Sequence, residues 1–322
     1  MKLGVFAVLF GDRPLEEALD IIVNQGLEAV EIGTGGYPGD AHCKPEALLS
    51  DDKQLQAFKH TIERRGLEIS ALSCHGNPLH PNKEISDRHH EEFQNTVLLA
   101  EKLGVETVNT FSGCPGESEY SRFPVWVTCP WPEDHSEVVR WQWEEKVIPY
   151  WREQSQFLRE HGVRVAIEPH PGFVVYNTET CLRLRDACGD NIGFNFDPSH
   201  LFWQNMDPIL GIKELAKHDA LYHFHAKDTN IDEQNTAANG VLDTKPYSDE
   251  LNRSWIFRSI GYGHGEETWR KIISALQLVG YEGVVSIEHE DSLMSVEEGF
   301  KKGAALLQNA LIKEKVGEMW WA

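Results

Sequence analysis

Val163-Arg-Val-Ala-Ile-Glu-Pro-His-Pro-Gly172 is a short apolar run that delivers one carboxylate, Glu168, and then breaks on proline. Proline has no N–H to donate, so a β-ladder stops there. The run is entered through a glycine, in His161-Gly-Val-Arg-Val-Ala-Ile-Glu168, and that phrase recurs. It returns as Gln25-Gly-Leu-Glu-Ala-Val-Glu31, Arg65-Gly-Leu-Glu-Ile-Ser70, Leu103-Gly-Val-Glu-Thr-Val-Asn109 and Gly280-Tyr-Glu-Gly-Val-Val-Ser-Ile-Glu288. Each reads as the end of an amphipathic helix, a glycine, and a strand. Glycine closes such helices because it takes the left-handed conformation past the last turn without steric cost. The strands are nearly continuous apolar runs, as sheets buried on both faces require.

Worked outward, the pattern predicts strands near 3–9, 27–32, 67–73, 105–111, 163–168, 192–197, 220–226 and 283–288. Helices are predicted near 15–25, 52–65, 86–103, 136–161, 178–188, 207–218, 266–279 and 295–314. Eight alternating pairs predict an α/β fold, a closed parallel (β/α)8 barrel, with an open doubly wound sheet as the alternative. The 322 residues suit one such barrel, and no linker divides them, so residues 1–322 are expected to form a single domain. Two βα loops are long, after strand four (112 to about 136) and after strand seven (227 to about 265). Both are expected to hang over the C-terminal, catalytic face, as ordered walls rich in aromatics and proline.

Composition narrows the function classes. Thirty basic against 51 acidic residues give a net charge of −21, which opposes nucleic-acid binding and attachment to anionic membranes. Six scattered cysteines without a C-x-x-C pair read as the reduced thiols of a cytoplasmic protein. Met1–Phe10 is apolar but lacks a small-residue cleavage site, so it reads as a strand rather than a signal peptide. No apolar run reaches the ~18 residues of a membrane span. The apolar end of the tail 315–322 is expected either to pack on the barrel or to make a subunit contact.

Three further stretches resemble 163–172 in placing metal-binding residue types at a strand end: Asn195-Phe-Asp-Pro-Ser-His200, Tyr222-His-Phe-His-Ala-Lys-Asp228 and Val285-Ser-Ile-Glu-His-Glu-Asp291. A lone acid in such a place is usually a solvated residue or an ion-pair partner. Glu168, Asp197, His225 and Glu288 stand at the ends of four successive strands, and closure of the barrel would bring them together. Three carboxylates and one imidazole form a hard, oxygen-rich set that suits Mn²⁺ or Mg²⁺, with Co²⁺ or Zn²⁺ also accommodated. His223 shares a strand face with His225 but lies deeper, and reads as a core histidine supporting the site. Gly261-Tyr-Gly-His-Gly265 reads as tight turns rather than a nucleotide loop, and no G-x-S-x-G elbow is present.

These stretches resemble the xylose-isomerase-like TIM-barrel family of sugar isomerases and epimerases. The carriers are Ile167-Glu168-Pro-His, Phe196-Asp197-Pro-Ser-His200, His223-Phe-His225-Ala-Lys-Asp228, the 261–265 loop and Ser286-Ile-Glu288-His-Glu-Asp291. The resemblance implies that Glu168, Asp197, His225 and Glu288 carry the metal and that His200 touches substrate or the metal-bound oxygen. It implies a metal-held enediolate and a base that removes the proton next to a sugar ketone. Sugar epimerases of this family place a second glutamate six residues after the first ligand, where this chain has Val174. The proton carrier must then come from His135, Glu288, His170, His200 or Lys227. His75, His170, Arg258 and Trp126 are candidate substrate contacts. The missing glutamate and the tryptophans of the 112–136 loop and the helix after it resemble the large subunit of C-glycoside deglycosidases. That branch implies β-elimination from a 3-oxo-glycoside, an oligomer and a small β-sandwich partner subunit. Isomerisation or epimerisation of a sugar with the same metal is the alternative. Cleavage of abasic DNA and a non-catalytic scaffold role are further readings, the former opposed by the charge.

Overall fold

In a computed structural model, residues 1–314 and 317–321 are described. The barrel strands are β1 (Lys2–Phe6), β2 (Ala29–Gly33), β3 (Glu68–Ser73), β4 (Thr107–Thr110), β5 (Arg164–Ile167), β6 (Ile192–Phe196) and β7 (Leu221–Ala226). Two strands outside the barrel follow, β8 (Asp228–Ile231) and β9 (Trp255–Arg258), and β10 (Val284–Ile287) completes the barrel. The order β1-β10-β7-β6-β5-β4-β3-β2 closes on itself, and every barrel neighbour pairs parallel. The closed barrel is thus the architecture, and the open sheet is excluded.

The punctuating glycines behave as their spacing predicts. Gly26, Gly66, Gly104, Gly162 and Gly280 all take positive φ, between 64° and 78°. The last-turn carbonyls are met there; the Gly104 N–H, for example, reaches back to Ala100 and Glu101. At Gly193 the demand is steric instead, since a Cβ would lie 2.2 Å from the Tyr222 ring.

The edges depart from expectation where periodicity is ambiguous. The first strand stops at Phe6, and Ala7–Phe10 turn into a 3₁₀ helix that buries Ala7 and Phe10. An apolar run alone does not separate a strand from a buried helical turn. The expected helix 136–161 is an α-helix over Asp134–Trp141, a π-helical turn over Gln142–Val147, and an α-helix over Ile148–Glu160. Trp143 packs in the core there, while half-buried Trp141 lies under Lys146 Nζ, 5.2 Å from its ring centroid. The loop after β7 is an antiparallel hairpin, β8–β9, enclosing a short helix over Glu233–Asn239.

Among the described residues, no helix is long and apolar enough to cross a membrane. Of the tail 315–322, residues 315, 316 and 322 lie outside the described residues. Met319, Trp320 and Trp321 are exposed, so these side chains do not pack on the barrel.

Candidate metal centre and cleft

Register explains how the site assembles. β10 pairs with β7 so that Ser286 lies beside His225, and β6 pairs with β7 so that Asn195 lies beside His223. Side chains alternate along a strand, so two residues further toward the mouth the same inward face presents Glu288 and Asp197. Glu168, Asp197, His225 and Glu288 each offer a ligand atom, and these atoms all lie within 4.8 Å of one another. His225 Nδ1 is 3.0 Å from Glu288 Oε2 and 3.2 Å from Glu168 Oε2. Adjacent ligands of an octahedral ion at ~2.1 Å stand about 3.0 Å apart, so the spacing suits one small divalent cation.

The satisfaction of hydrogen bonds gives an independent test of fit. Asp197 Oδ2, His225 Nδ1 and Glu288 Oε2 are buried atoms without a hydrogen-bond partner among the described residues. Unpartnered buried polar atoms are rare and costly, and three converging on one point is the pattern a cation resolves. His225 Nε2 lies 2.9 Å from Glu31 Oε2. That carboxylate holds the proton on Nε2, which leaves Nδ1, facing Glu168 and Glu288, as the nitrogen that would ligate a cation. Glu31 also accepts hydrogen bonds from Ser73 Oγ at 2.5 Å, Asn109 Nδ2 at 2.9 Å and Ser286 Oγ at 2.7 Å.

Glu31 is the functional residue that the sequence reading passed over. Its signal was present: a charged residue inside Ala29-Val-Glu-Ile-Gly33, an otherwise apolar strand buried on both faces. His223 takes the supporting place expected of it, 3.0 Å from Asn195 Oδ1 and 3.3 Å from Ser70 Oγ. Asn195 Nδ2 in turn donates to Glu168 Oε2 at 3.0 Å.

The buried carboxylate of Asp197 and the partly exposed carboxylates of Glu288 and Glu290 face one buried ammonium, Lys227. Its Nζ is 3.1 Å from Asp197 Oδ2, 3.0 Å from Glu288 Oε2 and 3.1 Å from Glu290 Oε2. Burial alone would raise the carboxyl groups, but charged neighbours outweigh it. Glu168 is held well below the usual range by the adjoining imidazoles of His200, His225 and His75. Asp197 is held below it by Lys227 and His200, and Glu288 by Lys227 and His225. Burial would lower the His225 imidazole, but Glu31 and Glu288 carry it well above its ordinary value. Asp197 likewise overcomes burial to raise His200 to about 9. The centre therefore exists either as carboxylates with protonated histidines or as carboxylates with a bound cation.

The remaining expected residues divide. His200 Nε2 lies 3.1 Å from Glu168 Oε1 and 3.2 Å from Asp197 Oδ2. Buried His75 lies 3.0 Å from Glu168 Oε2, so it joins the cluster. His170 packs against the His200 ring at 4.1 Å between centroids, and its Nδ1 lies 2.6 Å from the Pro171 carbonyl oxygen. Burial and the His200 charge push it down to about 3, so it is neutral. Trp126 is half-buried and lines a cleft of about 380 Å³ with His170, His200, Trp203, Trp255 and Phe257. Trp203 stacks on Trp255 at 4.5 Å, so the wall is built jointly by the β8–β9 hairpin and the turn after β6.

Two expectations are corrected. His135 is exposed, with its ring 3.1 Å from the Cys129 carbonyl oxygen of its own loop, and does not join the cluster. Arg258 is engaged by Asp291, Nε to Oδ1 at 3.2 Å and to Oδ2 at 3.1 Å, so its charge is spent on the fold. Trp131, in the same loop as His135, is 74 % exposed. The 261–265 loop is a set of tight turns, as expected. The N–H groups of Gly261, Gly263 and His264 all donate to the buried carboxylate of Asp228.

Comparison with known proteins places this geometry. The chain is 35% identical to the uncharacterized protein YfiH of Bacillus subtilis, over 97% of this chain and 99% of that protein. Among solved structures, the probable 3-DHS dehydratase AsbF of Bacillus anthracis superposes with TM-score 0.65 at 16% identity, covering 96% of this chain and 99% of that one. The IOLI protein with a bound zinc atom gives TM-score 0.65 at 18% identity, covering 97% and 98%. A D-tagatose 3-epimerase-like protein gives 0.64 at 18% identity, covering 96% and 98%. Residues 19–310 match the xylose isomerase-like TIM barrel family, and the chain belongs to it.

Proposed function

We propose that the chain is a divalent-metal-dependent enzyme that removes a proton next to a sugar ketone, and that its reaction is β-elimination from a 3-oxo-glycoside. The observation that carries this reading is the convergence of unpartnered Asp197 Oδ2, His225 Nδ1 and Glu288 Oε2 beside an aromatic-walled cleft. Mn²⁺ or Mg²⁺ suits three carboxylates and one imidazole, and when bound supplies Lewis acidity to an enediolate.

The chain's own groups carry the rest. Glu288 is the one ligand carboxylate with appreciable exposure, 14% of its side chain, and is ionised, so it takes the proton from C2. Lys227 and His200 hold positive charge beside the carboxylates and orient them. Neutral His170 and Trp126 contact the substrate from the cleft wall. The C2–H electron pair becomes the C2=C3 bond of the enolate, then the C1=C2 bond as the ketone re-forms. The C1–aglycone bond breaks with its electron pair on the aglycone, which takes up a proton. Nothing is oxidised or reduced.

Two features favour elimination over epimerisation. Val174 occupies the place where sugar epimerases of the family carry a second glutamate, and it is buried and apolar. The cleft of about 380 Å³ beyond the metal ligands offers an aglycone an aromatic-walled place. The likeness to a D-tagatose 3-epimerase-like protein keeps epimerisation as the second reading. The small β-sandwich partner implied by the C-glycoside deglycosidase branch belongs to the same proposal. So does a subunit contact at exposed Trp320 and Trp321.

The deciding assay incubates the purified chain, with Mn²⁺, with 3-oxo-glycosides bearing a chromogenic aryl group. Free aglycone that appears only with metal, and is lost in Glu288→Gln, supports elimination. An intact linkage with an inverted stereocentre replaces it by epimerisation. No change of either kind, in a protein shown to hold metal, overturns both.

A further inference from the structure

Lys227 is a buried ammonium with an unusual set of neighbours. It is 2% exposed and stands 3.0–3.1 Å from oxygens of Asp197, Glu288 and Glu290, with its Nζ 4.8 Å above the Phe257 ring. Only Glu290 receives an aligned hydrogen bond from it. Asp197 Oδ2 and Glu288 Oε2 remain without a hydrogen-bond partner although the ammonium is within ion-pair distance of both. The ammonium therefore acts on them as a point charge among carboxylate oxygens rather than as a directed donor.

Those two oxygens belong to the two carboxylates that also face the proposed divalent cation. A position flanked by carboxylates shared with a first ion is where a second ion sits in a two-metal centre, about 3.5–4 Å from the first. His200 Nε2, itself 3.2 Å from Asp197 Oδ2, would offer such an ion a nitrogen ligand. We propose that the Lys227 ammonium fills the place of a second divalent cation and so restricts this centre to one metal ion. A monovalent charge fixed to the chain neutralises part of the pocket without offering a Lewis-acidic site. The centre is thereby confined to chemistry at one metal ion and kept from the bridged two-ion arrangement that holds both oxygens of an in-line displacement. The inference rests on the metal reading of the Glu168, Asp197, His225 and Glu288 cluster.

Elemental analysis of the protein after equilibration with excess Mn²⁺ and gel filtration tests it, together with electron paramagnetic resonance of the bound ion. The wild-type chain is expected to retain one ion per chain, with the spectrum of isolated Mn²⁺. Lys227→Ala, which vacates the position and leaves its carboxylates, is expected to retain two, with the exchange-coupled spectrum of neighbouring ions. Lys227→Arg, which keeps the charge, is expected to stay at one. Lys227→Met serves beside Lys227→Ala if the smaller side chain impairs folding, and circular dichroism checks both. One uncoupled ion in folded Lys227→Ala and Lys227→Met overturns the inference and leaves the metal centre standing. Two ions in the wild type also overturn it. No retained ion in the wild type overturns the metal reading itself.

Discussion

Replacement of Glu31 by glutamine probes the least visible part of the centre. The carboxylate receives four donors: His225 Nε2–H and Ser286 Oγ–H at Oε2, Ser73 Oγ–H and Asn109 Nδ2–H at Oε1. A glutamine keeps the shape but turns one of those oxygens into an NH₂. If the amide nitrogen faces His225, two donors meet and the ring loses the acceptor that fixes its tautomer. If it faces Asn109 and Ser73, those donors lose theirs. One buried donor left unpaired costs about 1–3 kcal/mol of stability. Loss of the carboxylate behind a ligating histidine weakens metal binding about 10–100-fold, or about 1.4–2.8 kcal/mol. Competition of Mn²⁺ against a fluorescent chelator reads the affinity, and thermal denaturation in chelator reads the fold. We expect a Kd raised at least tenfold and a lowered metal-free Tm. A folded Glu31→Gln protein with unchanged Kd refutes the orienting role and the Nδ1 ligation it implies.

Other outcomes follow from the same geometry. Glu168→Gln and Asp197→Asn should each abolish metal retention while keeping the barrel, as read by elemental analysis and circular dichroism. Metal binding should release protons: without a cation Glu31 and Glu288 hold the His225 imidazole protonated, and the ion requires a bare Nδ1. Affinity should therefore rise with pH until that imidazole deprotonates unaided, and calorimetry in buffers of different ionisation enthalpy should report the released proton. Trp255→Ala should raise KM for a bulky aryl glycoside more than it lowers kcat, because its ring walls the cleft away from the metal ligands. Gly263→Ala should cost about 1–3 kcal/mol, read by chemical denaturation. Its Cβ would fall 2.2 Å from the Thr229 carbonyl oxygen and 2.7 Å from Asp228 Oδ1.

The barrel and its four proposed ligands were legible in the sequence because they rest on local rules that recur along the chain. Glycine ends a helix, an apolar run follows, and a polar residue stands where the run stops; Glu168, Asp197, His225 and Glu288 are such residues. Glu31 was missed because it lies in mid-strand, where the pattern expects apolar residues, and its meaning appears only when closure brings it to His225. His135 and Arg258 were misplaced for the opposite reason. Loop conformation is set by contacts the sequence does not announce, with Cys129 in one case and Asp291 in the other. The hairpin after β7 was hidden because Asp228–Ile231 and Trp255–Arg258 are four-residue strands separated by a helix and a polar stretch. Lys227 was identified as a candidate, but its neighbours Asp197, Glu288 and Glu290 come from two other parts of the chain.

The most direct test is an anomalous difference map from crystals soaked in Mn²⁺ and recorded at the manganese edge. The account predicts a peak bounded by Glu168, Asp197, Glu288 and the Nδ1 of His225, about 2.0–2.2 Å from each ligand atom. A map without that peak, or with manganese bound elsewhere and these four side chains turned apart, contradicts it.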